Sequence, residues 1–128
     1  MTVANKALVA LLLAGATAAH AQPRASGSLS IPAQFHGRWA ENHRACAATA
    51  FTTVITITRR GWSSFEEGGE VTRVGQVRRG THYFRLHNYA GGEETDGSVA
   101  MRREGPRLVV TFDDDGGPPV HYNLLRCR

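Results

Sequence analysis

The sequence predicts an all-β domain, with about eight short antiparallel strands in a small up-and-down barrel or sandwich closed by one disulfide. Three observations carry this. From Phe51 onward, apolar residues recur with a period of two. Clusters of turn-forming residues interrupt that alternation roughly every ten residues. The two cysteines stand far apart, Cys46 just after the first expected strand and Cys127 on the last.

The first 21 residues are expected to serve export rather than folding. Lys6 precedes an apolar run, and Ala19-His20-Ala21 ends it as a small-x-small site suited to a signal peptidase. The run, about eight to twelve residues, is too short for a stable membrane span. Residues 22–30, QPRASGSLS, are small and polar and read as a flexible tail. Residues 31–128 then form one domain, in the periplasm or secreted. Two cysteines in an exported chain pair in only one way. The bond would close a loop of about 80 residues, worth roughly 4–5 kcal/mol in the chain-entropy account. A redox pair would sit as C-x-x-C, and zinc asks for more ligands.

The charge of +4 carries little functional weight. Lys6 is the only lysine, and the arginines are scattered among acids. A nucleic-acid binder gathers its cations on one element, so no nucleic-acid partner is expected. An anionic small molecule is compatible with this balance.

The elements follow in order. Pro32 holds Ile31 extended. The segment Phe35-His36-Gly37-Arg38-Trp39 supplies two aromatic anchors around a glycine free to turn sharply. Residues 41–50 suit a loop or short helix that delivers Cys46. Residues 53–58, TVITIT, are β-branched throughout, with Ile55 and Ile57 on one face. Arg60-Gly61 turns the chain into a strand over 62–67, and Glu67-Gly68-Gly69-Glu70 turns it again. In 71–79 the spacing of Val71, Val74 and Val77 fits neither face, and Gly75 suggests a bulge. Arg79-Gly80 leads into 81–89, where His82, Phe84, Leu86 and Asn88 share one face. Residues 90–96, AGGEETD, are expected to form the longest loop of the β region. Strands over 97–103, 108–113 and 120–127 complete the set, separated by turns at 104–107 and 114–117.

The tripeptide Gly37-Arg38-Trp39 resembles the G-x-W of the first strand in calycins, the lipocalin- and avidin-type barrels. In lipocalins an arginine near the end of the barrel packs over that tryptophan, and Arg126 stands where the resemblance would place it. The G-x-W, the two cysteines and the T-x-T strand also resemble small exported bacterial proteins, a likeness that implies no activity.

Candidate chemistry is sparse. His36, His43, His82, His87 and His121 show no zincin spacing, and no HExxH occurs. Asp113-Asp114-Asp115 lacks the alternation of a calcium loop. Glu66 and Glu67 are neighbours on a strand and face opposite ways. No catalytic residue, metal or cofactor is therefore assigned. The preferred expectation is a non-enzymatic exported binding module of calycin-like shape. It would take a small apolar or anionic ligand, met by Arg85, Arg126, Tyr83 and His87, or an envelope protein if the interior is filled. Gly37, Trp39, Cys46 and Cys127 are expected to be structural. The alternative is a small metal-dependent or acid/base hydrolase, which would need titratable groups converging in one cleft.

Overall fold

In the computed structural model, residues 29–47 and 54–128 are described. The expected signal segment, most of the tail and the start of the 53–58 strand lie outside them. Among the described residues, eight strands close into a barrel in which each pairs antiparallel with the next. They are β1 (Gly37–Ala40), β2 (Val54–Ile57), β3 (Gly61–Ser63), β4 (Glu67–Val74), β5 (His82–Ala90), β6 (Glu93–Glu104), β7 (Arg107–Asp114) and β8 (Val120–Arg126). The last returns to the first through Trp39↔Arg126 and Ala40↔Leu125.

That seam has two registered pairs, against eight between β6 and β7. Cys127 extends it by donating its backbone N–H to the Arg38 carbonyl at 2.8 Å. The expected disulfide then staples it. A short helix α1 (His43–Cys46), capped by the Asn42 side chain, brings Cys46 to Cys127 with Cα atoms 5.5 Å apart.

Strict alternation sorts the long strands. Phe84, Leu86 and Asn88 on β5, Val99 and Met101 on β6, and Leu108, Val110 and Phe112 on β7 are buried. Their outward neighbours are half-buried or exposed. These three strands therefore bury one row each, as a closed sheet requires.

One end of the barrel is plugged. Ile31 is buried and tied to the Arg59 carbonyl, and a 3₁₀ turn over Ala33–Phe35 drives Phe35 into the interior. Gly37 follows at φ +125°, where a side chain would be strained. Trp39 is fully buried, and its indole N–H donates to the Phe35 carbonyl at 2.9 Å. The guanidinium carbons of Arg103 and Arg126 lie 5.0 and 4.8 Å from its ring centre. Arg126 also donates to the carbonyls of Gln34 and His36.

Three expectations are corrected. Gly68 and Gly69 do not turn the chain; they lie inside β4, and the turn falls at 64–66. The stretch 90–96 is not a long loop: β5 runs to Ala90, β6 begins at Glu93, and Gly91-Gly92, both at positive φ, make a tight hairpin turn. The strand expected over 71–79 stops at Val74, and its register shifts between Val71 and Arg73 rather than at Gly75.

Candidate functional site

Among the described residues, the opposite end of the barrel is open. A cavity of about 430 Å³ lies there, within the range of small-molecule sites. Its wall carries Trp62, Phe112 and Tyr122 from β3, β7 and β8, and Asn88 from β5. Glu66, Glu67 and Asp114 complete the acidic part of the lining, which holds no Arg or His among the described residues.

Local sequence explains the geometry. Trp62 pairs with Gly69, and the glycine leaves room for the indole to lie across β4. A Cβ at Gly69 would come within 2.7 Å of Trp62 Nε1 and closer still to Asn88 Oδ1. Gly97 provides the same clearance on the other side, where a Cβ would stand 2.8 Å from both Asn88 Nδ2 and Asp114 Oδ1. Between these glycines Asn88 links two groups. It accepts from Trp62 Nε1 at 3.3 Å and donates to Asp114 Oδ1 at 2.9 Å. The amide is 7% exposed, so both bonds offset its desolvation. The Trp62 and Phe112 rings meet at 4.7 Å, and Phe112 meets Tyr122 edge-on at 6.1 Å.

The field here is negative. Glu67 stands two residues before Gly69 on β4, and Asp114 two after Phe112 on β7, so both occupy inward register positions. The Tyr122 hydroxyl is held above its usual pKa by burial first, then by the charges of Glu67 and Glu41.

The four residues expected to meet a ligand are elsewhere. Tyr83, Arg85 and His87 lie on the outer face of β5, where Arg85 pairs with Asp115 at 3.1 Å. His87 bridges Asp96 at 3.2 Å and Glu94 at 3.3 Å, which raises its pKa above 6.5. Arg126 belongs to the plugged end, over Trp39. The structure does not bring these four together, and none lines the cavity. The other histidines are also dispersed: His36 bonds the Ile31 carbonyl, His82 meets Gln34, and His121 meets Thr111. Among the described residues no group of three His, Cys, Asp or Glu side chains could hold a metal ion.

Alternation puts Asn88 on one face of its strand with His82, Phe84 and Leu86, with no role assigned to it from the sequence. A polar side chain following Phe84 and Leu86 on the same face is the signal for it. Glu67 and Asp114 were hidden in segments read as turns. No protein-family model, curated protein or solved structure matches this chain.

Proposed function

We propose that this protein is an exported, non-enzymatic binding module of calycin-like shape that takes a small ligand into the open end of its barrel. The observation that carries this reading is the uneven filling of the interior. Phe35 and Trp39 plug one end, while the other keeps about 430 Å³ behind an aromatic wall. A barrel selected only for stability gains from filling such a space, because interiors favour close packing. The Cys46–Cys127 bond supports assembly in an oxidising compartment such as the periplasm or the cell exterior.

The test is native mass spectrometry of the protein purified from its own envelope fraction. The expected spectrum carries a small-molecule adduct that is lost on denaturation. A bare chain, or a chain bound only to another protein, would overturn the reading.

A further inference from the structure

We infer that the cavity selects a small organic cation, an amine with a compact apolar or aromatic body. The inference rests on the ligand-cavity reading above and adds the chemistry of what enters.

Two independent features of the wall point to it. The first is its division of labour. Trp62, Phe112 and Tyr122 offer ring surface from three strands, suited to a flat apolar body and to a cation held over a π face. Asn88 is already engaged on both sides, so its network holds Trp62 and Asp114 in place before a ligand arrives. The second is the sign of the charge. Glu66, Glu67 and Asp114 line the space with no basic side chain among the described lining residues. Arg85, a cation near this end, is on the outer face and paired with Asp115. Residues 48–53, which join α1 to β2, contain no charged side chain. An anion entering here would leave water to meet carboxylates. An ammonium would exchange water for carboxylates and aromatic faces. The Tyr122 hydroxyl, raised above its usual pKa by burial first and then by the charges of Glu67 and Glu41, is consistent with that sign.

The probes are three molecules of one shape: 3-phenylpropylamine, 3-phenylpropan-1-ol and 3-phenylpropanoate. Each is titrated into the disulfide-bonded protein at low salt, by calorimetry and by the NMR shift of the Trp62 indole N–H. The amine is expected to bind about tenfold or more tighter than the carboxylate, with the alcohol between them, since opposite charges at contact distance keep a sizeable attraction near a protein surface. Raising the salt should narrow the gap. So should the double variant Glu67→Gln, Asp114→Asn, which removes both charges while retaining acceptor oxygens. Equal binding of all three, or tighter binding of the carboxylate, would overturn the cation inference and leave the ligand-cavity reading intact. Failure of every probe to move the Trp62 signal would overturn both. If the double variant unfolds, the salt dependence with unaltered protein decides the matter alone.

Discussion

Arg126 covers Trp39: its guanidinium carbon stands 4.8 Å from the centre of a ring that is itself fully buried. The arginine also donates to two carbonyls of the 3₁₀ plug, so one side chain joins the last strand, the first strand and the segment that closes the barrel. Arg126→Ala should lower stability by about 1–2 kcal/mol, from the lost ring contact and hydrogen bonds. Arg126→Lys should recover only part, because an ammonium lacks the planar fork. Urea unfolding of Arg126→Ala, Trp39→Phe and the double variant that combines them gives the coupling energy. Coupling near zero would mean that Arg126 only shields the ring without stabilising the closure.

The disulfide acts on the same seam from outside. Cys46 and Cys127 are 81 residues apart, and the bond crosses a strand pair with only two registered partners. The double variant Cys46→Ala, Cys127→Ala should lose roughly 4–5 kcal/mol, most of it through the freed unfolded chain. For a domain of this size that is a large share of the total, so the variant should unfold at far lower urea than the oxidised protein. A loss below about 1 kcal/mol would show that the β1–β8 pairing closes the barrel unaided.

Gly69 and Gly117 offer a paired test of why glycines stand where they do. A Cβ at Gly69 would strike the Asn88–Trp62 contact, whereas at Gly117 it would meet nothing within 4 Å. Gly69→Ala should cost about 1–3 kcal/mol and displace the Trp62 indole signal. Gly117→Ala should change stability by less than about 0.5 kcal/mol. Equal effects would remove the packing explanation for Gly69.

The same glycines show where the sequence could be read and where it could not. Alternation along 81–89 and 108–113 located the buried faces, because Phe84 and Leu86 in the first, and Leu108, Val110 and Phe112 in the second, recur at every second position. The cysteines and Trp39 located the closure. Gly68-Gly69, flanked by two glutamates, carried a local turn signal that tertiary packing overrode. Opposite them lie Tyr89 and Asn88, which need the volume a side chain would take. Glu93–Asp96 were missed for a related reason. Acidic residues rarely favour strands, yet here they extend a hairpin whose partner strand supplies His87. The acidic cavity mouth was missed because Glu67, at the start of β4, and Asp114, at the end of β7, both fall in segments with local turn signals.

His87 gives the hairpin a dependence on pH. Its ring is bonded by Asp96 and Glu94 on the outer face, and these raise its pKa above 6.5 in the folded protein, with Asp96 contributing first. A histidine raised on folding stabilises the fold through its charged form. That contribution is complete below the unfolded value of 6.5 and fades as the pH rises through the folded value. His87→Gln should therefore be less stable than the parent protein in acid, with the difference shrinking toward alkaline pH. Asp96→Asn should lower the His87 pKa seen by NMR titration, and Glu94→Gln should do so by less. A larger drop with Glu94→Gln would reverse the assigned order of the two carboxylates. A deficit for His87→Gln that grows with pH would rule out charge stabilisation at this site.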